Sequence, residues 1–181
     1  MTNLPIIIAI LLTSFSGILC AQKAKVVEKN SLLNTYPFSD PDPIPRFEKI
    51  FPYYRFDGYS GKGIMQNWKM VELENDYIRL WIVPEIGGKI WGAIEKSTGK
   101  EFIYYNHAVK FRDIAMRGPW TSGGIEINFG IIGHAPTTSS PVDYYIREND
   151  NGSVSCFVGA FDLTSRTRWT VEINLPPYKA Y

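Results

Sequence analysis

Cysteine and histidine are scarce in this sequence, with two of each in 181 residues. Cys20 and Cys156 stand far apart, and neither a Cys-x-x-Cys nor a His-x-x-x-His spacing occurs. A structural zinc site takes four such ligands at close spacing, so no metal is expected, nor any cofactor. An excess of one charge is also missing: 19 Lys and Arg oppose 18 Asp and Glu, with no basic run. That excludes the electrostatic footprint of a nucleic-acid binder. Past residue 21 no long apolar run and no convincing helical periodicity remain, and no segment repeats. A helical bundle, a solenoid and a membrane-spanning helix in the mature chain are thereby set aside.

What is present begins with Pro5–Cys20, an apolar run broken by small hydroxyl residues. It is short for a membrane span and reads as a secretory signal, residues 1–21, cleaved after Ala21. The protein is therefore expected to be exported to the periplasm, the cell surface or the medium. Cys20 leaves with the signal, and Cys156 is expected to behave as a small buried apolar residue. Residues 22–50 read as a Pro-rich extended arm, because prolines between Tyr36 and Pro45 are too dense for helix or regular sheet. Residues 51–181 read as the N-terminal part of a β-sandwich domain, truncated after its last strand.

Alternation of apolar and polar residues carries that strand reading. Trp68–Leu73, Tyr77–Val83, Lys89–Glu95 and Glu101–Tyr105 are separated by turn signals at Glu74-Asn75-Asp76, Pro84-Glu-Ile-Gly-Gly88 and Ser97-Thr-Gly99. Val142–Arg147 and Ser153–Ala160 form a hairpin around Asn149–Gly152. In the last strand Trp169, Val171, Ile173 and Leu175 share one face and Arg168, Thr170, Glu172 and Asn174 the other, so a one-residue slip would bury charge. Gly124–Phe129 reads as a strand too, with Ile125, Ile127 and Phe129 inward and Glu126 and Asn128 on the opposite face.

The stretch from Arg117 to Thr138 concentrates glycines with Trp120, Glu126, Asn128 and His134. Glycine is used where backbone bends unusually or approaches something closely. Glu126 could serve as a sugar-binding or acid–base carboxylate, pair with Arg117 or Arg112, or stay solvated. Histidine is the side chain suited to proton exchange near neutral pH, so His134 could exchange protons, or it could be a structural hydrogen-bonder. Trp120 could stack on a sugar ring or anchor the loop. Arg117 could bind hydroxyls through its fork of donors or brace the loop. The candidate set is thus Glu126 and His134 as catalytic residues, with Arg117, Trp120 and Asn128 binding substrate. A glycosidase would need a second carboxylate, for which Asp113 and Asp143 are available.

The segments Trp68–Leu80, Val83-Pro-Glu-Ile-Gly-Gly-Lys-Ile-Trp91, Phe111–Trp120 and Gly123-Gly-Ile-Glu-Ile-Asn-Phe-Gly130 with Gly133-His134 resemble a bacterial domain of unknown function that precedes tetratricopeptide repeats in secreted proteins. That domain is similar to the galactose mutarotase-like supersandwich of aldose epimerases and several glycoside hydrolases. The resemblance covers most of residues 36–181. It implies an all-β antiparallel sandwich, a carbohydrate ligand and a downstream repeat domain in the parent protein. It also implies that an epimerase-type Glu base would fall beyond Tyr181, so this chain alone is expected to be inactive. The expected function is an exported carbohydrate-binding or carbohydrate-active domain. The rival is a non-catalytic interaction or glycan-binding module attached to a repeat protein.

Overall fold

The computed structural model describes residues 23–37, 60–113, 119–130, 134–163 and 165–179. The proposed signal, residues 22 and 38–50 of the Pro-rich arm and Arg117 lie outside them. The described residues form an all-β fold of two main antiparallel sheets, as the sequence reading expects.

The large sheet has the order β5-β4-β3-β2-β1-β6. Its strands are β1 (Lys25–Tyr36), β2 (Ile64–Glu74), β3 (Ile78–Val83), β4 (Lys89–Glu95), β5 (Glu101–Ile103) and β6 (Ala108–Lys110). A two-stranded ribbon, β7 (Arg112–Asp113) with β8 (Pro119–Trp120), follows. The small sheet joins β9 (Asp143–Glu148), β10 (Val154–Asp162) and β11 (Thr167–Leu175) in the order β11-β10-β9. All pairings in the two main sheets are antiparallel except β1 with β6, which is parallel.

Both faces of the large sheet are covered, because alternate residues of each strand point to opposite sides. Val71, Leu73, Ile78, Leu80, Ile82 and Ala93 face the small sheet and meet Val154, Cys156, Val158, Trp169 and Leu175. Burial pushes the Cys156 thiol up to about 12, which leaves it an inert core residue. The opposite face carries a second core of Leu33, Trp68, Met70, Val83, Ile86, Trp91, Val109 and Phe111. A register shift between Trp81 and Ile82 pairs them with Gly92 and Ile90, so Trp91 is the unpaired residue of a bulge. Its indole is fully buried and donates to the Asn106 carbonyl at 2.8 Å. That bond fastens the chain after β5 onto the second face.

Two sequence expectations are corrected. Lys25–Tyr36, assigned to an arm, is a twelve-residue strand that pairs with β2 along almost its whole length. Its central residues Glu28–Asn30 are exposed, so it lacks the alternation that reveals a strand. Gly124–Phe129 forms only one bridge, Ile125 to Ile90, rather than a strand. Ile125 is exposed, whereas Ile127 and Phe129 do pack on the core as expected.

The β2–β3 turn uses the Asn75 side chain as a mimic of backbone: its Oδ1 accepts from the Tyr77 and Ile78 amides at 2.8 and 2.9 Å. Its Nδ2 donates to the carbonyls of Pro176 and Lys179, tying the end of the small sheet to the large one. Beside it, Glu74 accepts from Arg79 Nε at 2.7 Å and from Lys96 Nζ at 2.6 Å. The Arg79 hydrogen bond comes first among the causes that hold the Glu74 carboxyl down at about 2, below its ordinary 4.5. A depressed carboxyl stabilises the fold above its unfolded value and loses that contribution as pH falls. The melting-temperature advantage of the native chain over Glu74→Gln is therefore expected to be full above pH 4.5 and to vanish as pH approaches about 2. Paired thermal melts across that window check it; a difference that is independent of pH would contradict it.

Candidate functional site

The site is built on the turn between β3 and β4. Pro84–Gly88 reverses the chain through Gly87 and Gly88, both at positive φ (65° and 68°). A Cβ on Gly87 would lie 2.3 Å from the Thr138 carbonyl oxygen, so only glycine admits this approach. The Gly87 amide donates to the Ser140 carbonyl at 2.8 Å, and the Val142 amide donates to the Pro84 carbonyl at 3.0 Å. Those bonds seat the 3-10 turn Pro136–Ser139 that follows His134.

Two residues past the glycines, Ile90 exchanges both backbone hydrogen bonds with Ile125, at 2.8 and 3.2 Å. Gly124 makes this approach possible. It sits at φ 65°, and a Cβ there would be 2.1 Å from the Ile90 carbonyl oxygen. The bridge brings Glu126 into place. Its Oε1 lies 2.7 Å from His134 Nδ1 and accepts from Asn128 Nδ2 at 2.8 Å. Asn128 then closes the ring: its Oδ1 accepts from the amides of His134 at 2.7 Å and Ala135 at 3.3 Å. His134 is held at φ 58°, a conformation uncommon for any residue but glycine.

The chemistry of this ring is directional. A carboxylate has only acceptors, so the imidazole donates from Nδ1, and in the neutral ring Nε2 is then the proton acceptor. The Glu126 side chain retains 13% of its exposure and that of His134 31%, so the imidazole is within reach of solvent. Clefts of about 210 Å³ over Gly159 and about 260 Å³ beside Trp81 open elsewhere on the sheets.

The structure thus brings together Glu126, Asn128 and His134. Glu126 pairs with His134 rather than with Arg112. Trp120 is half-buried in β8, at the start of the same segment. Arg117 lies outside the described residues. Asp143 is exposed on β9, opposite Gly159.

One residue of this neighbourhood was not a sequence candidate. Lys89 opens β4 and is only 2% exposed. Its ammonium donates to the Thr121 carbonyl at 2.6 Å and to the Thr121 hydroxyl at 3.1 Å. Burial lowers its pKa to about 8, and the charge of Glu126 acts in the opposite sense. The buried hydroxyls of Thr137 and Ser139, just past His134, make no hydrogen bond.

These features define a two-sheet β protein with a His–Glu–Asn ring at the surface of one sheet end. The chain belongs to the family described as Domain of unknown function (DUF5107), whose model matches residues 45–181. Among solved structures it is similar to a TPR-domain containing protein from Parabacteroides distasonis, with 25% identity and a TM-score of 0.78 over 88% of this chain. The match spans 28% of that protein's length.

Replacing Gly124 by Ala forces a side chain into the Ile90 carbonyl at a positive φ. Gly124→Ala is expected to lower the melting temperature and to remove the ring-held His134 amide signal in NMR spectra. Spectra unchanged around residues 126–135 would contradict the bridge as the origin of the ring.

Proposed function

We propose that the Trp120–His134 segment forms the carbohydrate site of an exported carbohydrate-binding or carbohydrate-active protein with a mutarotase-like fold. The observation that carries this reading is the 2.7 Å contact between Glu126 Oε1 and His134 Nδ1, with Asn128 locking both. The carboxylate orients the imidazole, and Nε2 is left to take a proton from a sugar hydroxyl; the imidazolium so formed can return that proton to the hydroxyl or pass it to the ring oxygen. Asn128 and the free lone pairs of Glu126 supply polar contacts to hydroxyls. Trp120 supplies an apolar face for the ring.

A second reading, a non-catalytic module serving a repeat protein, draws on the solved neighbour, which contains a TPR domain. In that reading the same ring braces a surface loop and meets no sugar.

The test is a glycan array with the full-length parent protein, followed by calorimetry on each hit. Loss of a hydrogen bond to a charged group costs about 1.5–3 kcal/mol, so Glu126→Gln is expected to weaken binding by roughly tenfold to a hundredfold. Lys100→Ala, on an exposed turn, is the control and is expected to leave affinity unchanged. Turnover of a bound glycoside or aldose would place the parent among enzymes. An array with no hits, or equal losses in both variants, would favour the repeat-associated module.

A further inference from the structure

We infer that Lys89 is the positioning residue of the Glu126–His134 pair: a buried cation set opposite Glu126 that holds the carboxylate as an acceptor for the imidazole. The inference deepens the carbohydrate-site reading and rests on it for its functional meaning.

The placement follows from strand register. Ile90 and Ile125 form a mutually hydrogen-bonded antiparallel pair. In such a pairing, one step back on one chain faces one step forward on the other. Lys89 therefore stands across from Glu126. Side chains of directly opposed residues project to the same side, with their Cβ atoms about 5 Å apart. A buried cation is thus set opposite a partly buried carboxylate.

The ammonium does not spend its bonds on the carboxylate. It donates to the carbonyl and hydroxyl of Thr121. This fixes the cation at a defined place and anchors the start of the segment that carries Glu126. The carboxylate is left with Oε1 for His134 and Asn128. An ion pair closed directly between Lys89 and Glu126 would compete with the imidazole. The observed split instead lets Lys89 act through its charge while His134 takes the hydrogen bond.

A buried lysine that touched only Thr121 would have no reason to be charged. Burial disfavours the ammonium, and a Met of similar shape would fill the space without that cost. A nearby anion supplies the reason, and Glu126 is the charged group that acts on Lys89 from the facing segment.

The experiment follows the Lys89 ammonium by NMR of its 13Cε–1Hε group through a pH titration of the intact chain without ligand. The native midpoint is expected near 8. In Glu126→Gln the anion is gone and only burial remains, so the midpoint is expected to move lower. Equal midpoints in the two proteins would overturn the inference. Lys89→Met and Lys89→Arg add a second arm. Arg keeps the charge and is expected to retain the native 15N tautomer signature of His134, with the proton on Nδ1. Met is expected to lose it. A folded Lys89→Met protein with the native tautomer would also overturn the inference. If Lys89→Met does not fold, the Glu126→Gln titration alone decides. Because both readouts are taken without sugar, they stand apart from the carbohydrate reading. A coupled Lys89 with an empty glycan array would reject the ligand and keep the positioning role.

Discussion

The turn Pro84–Gly88 is the constraint on which the rest of this architecture depends. Gly87 and Gly88 bring backbone to backbone where any side chain would collide: Gly87 against Thr137 and Thr138, and Gly88 against the Val158 side chain of the small sheet. One tight reversal thereby touches both the 3-10 turn after His134 and the central strand of the second sheet. It also sets where β4 starts. The position of Lys89, the Ile90–Ile125 bridge and the arrival of Glu126 follow from that start. A side chain at either glycine would need to displace the Thr138 carbonyl or Val158, so the site cannot be tuned independently of the sheet packing.

Glu126 and Lys89 divide the work of holding a charged site together near the protein surface. An isolated buried ammonium or carboxylate is costly in a medium of low dielectric. Here each charge has hydrogen-bond partners of its own, Thr121 for the cation and His134 with Asn128 for the anion. Their mutual attraction then acts across the bridge without either group giving up its partners. Such an arrangement can keep a carboxylate available for orienting a histidine, which a closed Lys–Glu ion pair would not.

The sequence made the two sheets legible wherever one strand face is buried and the other wet. β11 shows this best, with Trp169 and Leu175 buried and Arg168, Thr170, Glu172 and Asn174 exposed. β1 escaped because Lys25–Asn30 is mostly exposed and only Leu33 and Thr35 are buried, so its hydrogen bonds rather than its side chains make it a strand. Gly124–Phe129 misled for the converse reason. Ile-Glu-Ile-Asn-Phe alternates like a strand, yet Gly123, Gly124 and Gly130 at positive φ end the ladder after one bridge. Of the site, Glu126, Asn128 and His134 were legible from their glycine setting. Lys89 was not, since its partner Thr121 is distant in sequence and a lysine after a turn usually marks a solvated position. One signal was available: the alternation that put Trp81 and Val83 on one face put Lys89, paired with Val83, on that face too.

The backbone at His134 adds an argument for the imidazole itself. Two non-glycine residues among those described have positive φ, His134 and Arg166. Arg166 is exposed in the loop between β10 and β11, where turn geometry alone accounts for it. His134 is different, because its conformation is imposed by Asn128, which accepts from two successive amides. Holding a non-glycine residue in such a conformation costs about 1–3 kcal/mol, and it persists only where the surroundings over-determine it. Glycine at this position would relieve that cost and keep both amide bonds. What glycine could not supply is the ring that meets Glu126. The strain at His134 is therefore the cost of setting an imidazole against the Glu126 carboxylate, and both groups are fixed by the same Asn128 side chain.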